Sequence, residues 1–163
     1  MEKRVFKAIL FDTRSIQNYI YSGNRLRTNI GASYIVDRIF FNDLVEGTLK
    51  KMFPDDNFSS AEDTTWDHEK DAEKAWDNMK ECCVAYIGGG NAFVLLHESK
   101  SYQDAVEVVK DFTLNLLATR PGLKVGAAIG DLSITDGVIN QDEMNALYSK
   151  LKKNQSTVFP SVN

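Results

Sequence analysis

Two features of this sequence carry residue types suited to chemistry, and they lie far apart in the chain. Asp12 ends the apolar run VFKAILFD, and the turn sequence Gly88-Gly89-Gly90-Asn91 separates two further apolar runs. A carboxylate is a ligand that hard divalent cations prefer, and glycines allow a backbone to approach a bound group closely. If the fold brings the two features together, the combination is typical of a site for a metal-chelated phosphate.

The same residues also have purely structural interpretations, and the local sequence leaves both open. Asp12 could cap a helix that begins after the strand, by accepting hydrogen bonds from free N–H groups. The three glycines could serve only a tight hairpin, since they supply the positive φ angles that such turns need. Asn91 tolerates left-handed geometry and could belong to that turn as well. The functional interpretation therefore depends on where the fold places Asp12.

Hydrophobic periodicity predicts the elements that must position these residues. Short apolar runs bounded by turn residues predict strands, and apolar residues recurring on one face predict helices. The predicted strands cover residues 5–12, 82–87, 92–97 and 123–129, and the predicted helices cover about 15–21, 26–53, 102–117 and 141–152.

This order of elements predicts an α/β (α+β) protein with the ferredoxin-like, split βαβ arrangement. Because strand–helix–strand crossovers are right-handed, we expect the second strand of the hairpin to insert between the first two strands. The result is a four-stranded, antiparallel-containing sheet with helices on one face. In this topology Asp12, at the end of the first strand, lies beside the turn at residues 88–91.

Composition and charge bound the class of protein. The chain has 163 residues, of which 43% are hydrophobic and 26% charged, as is typical of one globular domain. We expect a single domain over residues 1–163 with an acidic insertion at about 55–80, within a longer protein because the tail carries no stop signal. The net charge of −4 argues against a generic nucleic-acid coat. The basic first third leaves direct nucleic-acid binding open.

The two cysteines and the hydropathy pattern predict the compartment. Cys82 and Cys83 are neighbours on a predicted strand, where they point to opposite faces and cannot easily bridge. They favour a reducing, cytoplasmic compartment. No apolar run approaches the length of a membrane span, and no signal peptide opens the sequence. We therefore expect a soluble protein with no membrane partner.

Several motifs, in this order, resemble the palm of the large polymerase-like subunit of type III CRISPR effector complexes. They are FDTRSIQNYI at residues 11–20, NRLR at 24–27, GAS at 31–33 and YIGGGN at 86–91. The last motif stands where that family carries a Gly-Gly-Asp-Asp signature. The resemblance implies the cyclase palm fold shared with diguanylate cyclases. It also implies the family activity, which converts ATP to cyclic oligoadenylate signals with the help of divalent cations.

The resemblance also implies roles for individual residues. Asp12 matches the metal ligand at the end of the first strand. Three residues with a possible nucleotide contact also have purely structural interpretations. Arg27 could be solvated, Ser33 could pack a helix, and Lys150 could complement a helix C-terminus. The residues that the resemblance assigns to nucleotide binding are Gly88, Gly89, Gly90, Asn91, Ser33, Arg27 and Lys150.

The hairpin departs from the family pattern in its carboxylates. Gly90 and Asn91 stand where the family offers two aspartates. Glycine contributes no ligand, and a neutral amide oxygen is a poor substitute for a carboxylate on a divalent ion. No residue is therefore assigned a catalytic role. We expect ATP or a related nucleotide to bind with Mg²⁺ or Mn²⁺, and cyclase activity to be weak or absent.

The resemblance implies that this nucleotide-binding palm domain belongs to a CRISPR-associated or related prokaryotic defence protein with an antiviral role. Its expected partners are the nucleotide and a second palm domain or other subunits of a defence complex. One alternative is an active nucleotidyltransferase, whose missing carboxylates come from elsewhere, such as Asp131, or from a second chain. The other alternative is a structural scaffold in which the former site is only a turn.

Overall fold

An antiparallel sheet forms the centre of the molecule. The computed structural model describes residues 3–12, 37–56, 58, 79–88, 90–120 and 125–154. Within these ranges the sheet has five strands in the order β2-β3-β1-β4-β5. They are β1 (Lys3–Asp12), β2 (Cys82–Gly88), β3 (Asn91–Leu96), β4 (Gly126–Thr135) and β5 (Val138–Ile139).

The strand order confirms the predicted α+β class and its topology. β3 lies between β1 and β2, and β1 pairs antiparallel with both β3 and β4. Residues Phe6–Phe11 of β1 are almost continuously apolar, which suits a central strand covered on both faces. The register pairs Ile9 with Val94 of β3 and with Ile129 of β4.

Three helices occur within the described residues. The first, α1, is a π-helix over Phe40–Leu49 that continues as an α-helix over Lys50–Met52. The others are α2 (Tyr102–Thr119) and α3 (Gln141–Asn154), close to the bounds that the sequence predicts. None of these helices combines the length and apolar character that crossing a membrane requires. The helix predicted at 15–21, the start of that at 26–53 and most of the acidic insertion lie outside the described residues.

Aromatic and amide contacts join α1 and α2 on one face of the sheet. The ring of Phe112 in α2 lies 5.2 Å from that of Phe11 in β1 and 6.0 Å from that of Phe40 in α1, measured between centroids. The Asn115 amide donates to the Gly47 carbonyl at 2.9 Å. These contacts hold α1 against α2 beside the end of β1 that carries Asp12.

The two faces of the sheet are both covered, which differs from the predicted single helical layer. Ile9 and Phe11 belong to the core that includes α1 and α2, whereas Phe6, Ala8 and Leu10 pack with residues of α3 on the other face. The reason is that β1 is apolar at odd and even positions, and successive side chains point to opposite faces. The structure therefore places α3 opposite α1 and α2, and adds the short strand β5 at the edge.

The fourth strand is longer than the sequence pattern predicts. β4 continues through Gly130 and Asp131 to Thr135, where the predicted strand ends at residue 129. Its pairing with β1 extends over the whole of β1, so that Asp131 lies opposite Lys7 and forms an ion pair with it. Position 130 favours glycine, because a Cβ there would lie only 3.1 Å from a Leu147 methyl carbon of α3.

Candidate functional site

The end of β1 and the glycine turn lie side by side, as the topology predicted. Asp12 pairs with Asn91 of β3 on one side and with Gly126 of β4 on the other, and Asn91 in turn pairs with Gly88 of β2. Residues directly opposite each other in an antiparallel pair have Cα atoms about 4.5–5.5 Å apart, and their side chains point to the same face. The Asp12 carboxylate and the Asn91 amide are therefore neighbours at one end of the sheet.

Glycine suits the turn at two positions, for different reasons. Gly90 has a φ of 87°, a conformation that side chains disfavour. A Cβ on Gly88 would lie 2.8 Å from the Tyr86 hydroxyl oxygen, so the absence of a side chain makes room for the Tyr86 ring. An aspartate at position 90, as in the Gly-Gly-Asp-Asp pattern, would be strained in this turn. Gly89 lies outside the described residues.

A second carboxylate, which the sequence interpretation did not single out, faces the turn. Asp37 lies in the helical turn just before α1. Burial raises the pKa of its carboxyl above the ordinary value, and a hydrogen bond from the Gly90 backbone N–H offsets part of that rise. Its Oδ1 atom is buried and has no hydrogen-bond partner among the described residues. The only local signal was an acid ahead of the buried stripe that begins at Ile39, and such acids are common at helix starts.

Tyr86 completes the described surroundings of the turn. It packs partly buried against the core formed with α3. Burial raises the pKa of its phenol, and the charge of Asp37 and the nearby Tyr148 raise it further. Asp37 and Tyr86 therefore lie close to each other and to the glycine turn. The turn is lined by an acid and an aromatic ring that come from two different elements.

The ammonium group of Lys150, one of the residues assigned to nucleotide binding, contacts the backbone of β4. Its Nζ atom donates to the Ile129 carbonyl at 2.7 Å and lies 5.8 Å from the centroid of the Tyr102 ring. Ile129 pairs with Ile9, three residues before Asp12, which corresponds to about 10 Å along the strand. Arg27 and Ser33 lie outside the described residues.

Asp131 does not complete the site around Asp12, contrary to the alternative in which it supplies a missing carboxylate. It pairs with Lys7, five residues along β1 from Asp12, a separation of about 17 Å. Strand alternation also puts Asp131 on the face of Ile9, whereas Asp12 shares the face of Leu10. The sequence could not show this, because the predicted strand ended before Asp131.

Whether the end of the sheet can form a metal centre depends on which ligand side chains are grouped there. Two-metal phosphoryl-transfer sites hold their ions about 3.5–4 Å apart between several carboxylates. In the part of the chain that the structure describes, no three His, Cys, Asp or Glu side chains are grouped so that they could hold a metal ion. The described side chains therefore do not fit a two-metal centre of their own. A single ion shared with ligand phosphates needs fewer protein carboxylates.

The fold defines a nucleotide-cyclase-like palm, with a carboxylate at the end of the central strand opposite a hairpin turn. Among solved structures, the crystal structure of the guanylyl cyclase Cya2 is similar over 93% of this chain and 71% of that chain, with a TM-score of 0.52 and 15% sequence identity. At this identity the likeness shows the fold. No protein-family model and no curated protein sequence matches the chain.

Proposed function

We propose that this chain is a nucleotide-binding palm domain whose ligand is ATP or a related nucleotide, bound with one Mg²⁺ or Mn²⁺ ion. The observation that carries the proposal is the pairing of Asp12 with Asn91 at the end of the sheet, directly beside the glycine turn. The Asp12 carboxylate would hold the ion, and the Asn91 amide would offer a neutral oxygen or an N–H donor. The remaining ligands of the ion are phosphate oxygens and water, as is usual for Mg²⁺.

The other residues assigned by the resemblance contribute to the same ligand in this proposal. The backbone of the turn residues Gly88, Gly89 and Gly90 cradles the phosphates, and Arg27 and Lys150 supply positive charge. Ser33 contacts the nucleotide. Lys150 would have to release the Ile129 carbonyl to reach the phosphates.

Turnover to cyclic or linear oligonucleotides is weak or absent in this proposal. The transition state of phosphoryl transfer gathers negative charge between the attacking and leaving oxygens, and metal ions normally stabilise it. Gly90 and Asn91 remove two formal negative charges relative to the Gly-Gly-Asp-Asp pattern. A second cation therefore lacks its main anchor. The bound ion then serves to neutralise the phosphates of the nucleotide.

The proposed setting is a CRISPR-associated or related prokaryotic defence protein, in which the domain pairs with a second palm or with other subunits. It rests on the motif resemblance. A reducing, cytoplasmic compartment is supported by Cys82 and Cys83, which are buried, free thiols. Burial raises the pKa of both thiols, so they remain protonated and unreactive at neutral pH.

One observation favours the enzyme alternative, an active nucleotidyltransferase. The Asp37 carboxylate faces the turn in which Gly90 lacks one, and a second chain could supply further carboxylates. The scaffold alternative predicts no nucleotide binding at all. The three functions therefore differ in what they predict for binding and for turnover.

Calorimetric titration of the purified chain with ATP, with and without Mg²⁺ or Mn²⁺, tests the proposal. We expect cation-dependent binding, and we expect Asp12→Asn to remove most of the cation-dependent part while circular dichroism shows an unchanged fold. Asp131→Asn is the matched control, because it removes the same charge about 17 Å away on the other face of the sheet. Unchanged binding in Asp12→Asn would make Asp12 a structural residue, and absence of binding in every variant would favour the scaffold.

A further inference from the structure

The winding of α1 is unusual for a helix. The π-helical run over Phe40–Leu49 has 10 residues, and the Lys50 N–H after it donates to the Val45 carbonyl, five residues earlier. The residues on either side, 37–39 and Lys50–Met52, are α-helical. π-helices are rare and occur mostly as single turns within α-helices. A run of this length therefore needs contacts with the rest of the molecule to hold it.

Polar side chains of α2 and its C-terminal end supply such contacts. The Asn115 amide nitrogen donates to the Gly47 carbonyl at 2.9 Å and to the Thr48 hydroxyl at 2.8 Å. Nearer the start of α1, the Asp43 carboxylate accepts from Arg120 Nε at 3.0 Å. Asp43 and Thr48 are both buried. A rotation of α1 would leave these buried polar groups without their partners, which is costly.

The spacing of these contacts depends on the winding of α1. Hydrogen bonds that span five residues put more residues in each turn than the 3.6 of an α-helix. A change to α winding would therefore rotate Asp43 relative to Gly47 and Thr48. Gly47 also allows the helices to approach closely, because a Cβ there would lie 3.2 Å from the Asn115 amide nitrogen. The polar contacts thus match the π form of α1.

The start of α1 packs beside the end of the strand that carries Asp12. The ring centroid of Phe40 lies 6.1 Å from that of Phe11 and 6.0 Å from that of Phe112. Phe11 directly precedes Asp12 in β1. A change of winding would turn Phe40 relative to the residues that Asn115 binds. Protein interiors are close-packed, so a displaced ring shifts its neighbours. The position of Asp12 therefore depends on the winding of α1.

We propose that Asn115 is a positioning residue of the nucleotide site. It holds α1 in the π form and, through the rings of Phe40 and Phe11, sets the position of Asp12. The effect on Asp12 rests on the proposed nucleotide-binding function, whereas the effect on the winding does not. Without the Asn115 amide, α1 takes the α winding that the residues on either side of the π run already have.

Scalar couplings across hydrogen bonds, measured by NMR on ¹⁵N,¹³C-labelled protein, report the winding without a ligand. In the wild type, the Lys50 amide nitrogen should couple to the Val45 carbonyl carbon. In Asn115→Leu, which keeps a branched side chain without the donor, the coupling should move to the Glu46 carbonyl, four residues earlier. Gln103→Ala is the control, because it removes an exposed amide from the same helix, and it should keep the Val45 coupling.

Calorimetric titration with ATP in excess Mg²⁺ measures the effect on the site. We expect Asn115→Leu to weaken binding by about two- to tenfold, the range of a single hydrogen bond, and Gln103→Ala to bind as the wild type does. Thr48→Val removes one of the two acceptors at nearly constant shape and should act in the same direction with a smaller loss. It replaces Asn115→Leu in both measurements if circular dichroism shows that the latter does not fold.

The outcomes separate this inference from the proposed function. A folded Asn115→Leu chain that keeps the Val45 coupling would overturn the inference, because Asn115 would then not hold the winding. A moved coupling with unchanged ATP affinity would overturn the positioning role, while the proposed function stands. Absence of ATP binding to the wild type would defeat the proposed function and the positioning role together. The couplings would still decide whether Asn115 holds α1 in the π form.

Discussion

At the scale of single residues, the Asp37 carboxyl lowers the free energy of unfolding by an amount that depends on pH. Burial raises the pKa of its carboxyl above the ordinary value of 3.8, and the Gly90 N–H offsets only part of that rise. The folded state therefore binds this proton more tightly than the unfolded state does. By linkage, the contribution of Asp37 favours folding at low pH and is lost as pH rises from 3.8 through the folded-state pKa.

We therefore expect Asp37→Asn to raise the free energy of unfolding at pH 7 and to have a smaller effect near pH 4. Urea denaturation of the wild type and the variant at both pH values measures the difference. Asp55→Asn, which alters an exposed carboxylate, serves as the control for a general charge effect. A variant that is less stable than the wild type at pH 7 would show that the Gly90 hydrogen bond outweighs the burial cost.

The two turn positions that differ from the Gly-Gly-Asp-Asp pattern should respond differently to an aspartate. Gly90→Asp places a side chain at a φ of 87°, so we expect a loss of about 1–3 kcal/mol in stability. Asn91→Asp adds a carboxylate opposite Asp12 in a backbone that already suits a side chain. This costs only about 0.2–1 kcal/mol in like-charge repulsion without a cation.

Thermal unfolding with increasing Mn²⁺ distinguishes the two variants. Asn91→Asp should gain stability with Mn²⁺ because a cation bridges two adjacent carboxylates, and wild type serves as the control. Gly90→Asp should remain less stable than wild type in the absence of Mn²⁺. A tolerated Gly90→Asp would mean that the turn readily changes its backbone conformation.

At the scale of elements, the Asp56 carboxylate links the chain just after α1 to the backbone at the start of β2. Asp56 accepts hydrogen bonds from the backbone N–H groups of Lys80, Glu81 and Cys82 at 2.6, 3.0 and 3.1 Å. These contacts satisfy donors at the edge of the sheet, just before the strand that leads into the glycine turn. Asp56 is therefore held against the start of β2.

Asp56→Ala should destabilise the chain by about 1–3 kcal/mol, because it leaves three backbone donors, two of them partly buried, without their acceptor. Hydrogen exchange should accelerate at the amides of residues 80–82 in particular. Asp55→Ala is the matched control, since Asp55 is an exposed neighbour of the same type. Equal stability of the two variants in urea would show that other groups fix the start of β2.

The bounds of a helix were predictable where its own residues carry an apolar stripe and clear end signals. α2 and α3 follow the expected bounds because each has one apolar stripe and clear end signals, such as the capping box in which Ser101 and Asp104 exchange hydrogen bonds. The π-helical form of α1 was not predictable, because the stripe that begins at Ile39 is also compatible with an α-helix. Its contact with Asn115 of α2 depends on tertiary packing.

At the scale of the whole molecule, the proposed weak turnover follows from the arrangement of charge at the end of the sheet. We expect the purified chain, incubated with ATP and Mn²⁺, to form cyclic or linear oligonucleotides far more slowly than an active palm. Chromatographic separation of the products measures this directly. Abundant pyrophosphate and adenylate products that vanish in Asp12→Ala would establish a working enzyme and contradict the expectation.

The sequence by itself determined the class, the strand order and the meeting of Asp12 with the glycine turn. The reason is that the apolar runs, turn residues and crossover handedness restrict a chain of this length to few topologies. The continuous apolar run of β1 even contained the evidence for two covered faces, although helices were expected on one.

Only the tertiary structure decided which other residues reach the site. The location of Asp131 depends on the register of β4 with β1, and that register extends beyond the apolar run that predicted the strand. The place of Asp37 beside Gly90 depends on how α1 packs onto the sheet. Contacts between distant segments are set by the shapes of the buried surfaces that they share, and local patterns along the chain do not reveal those shapes.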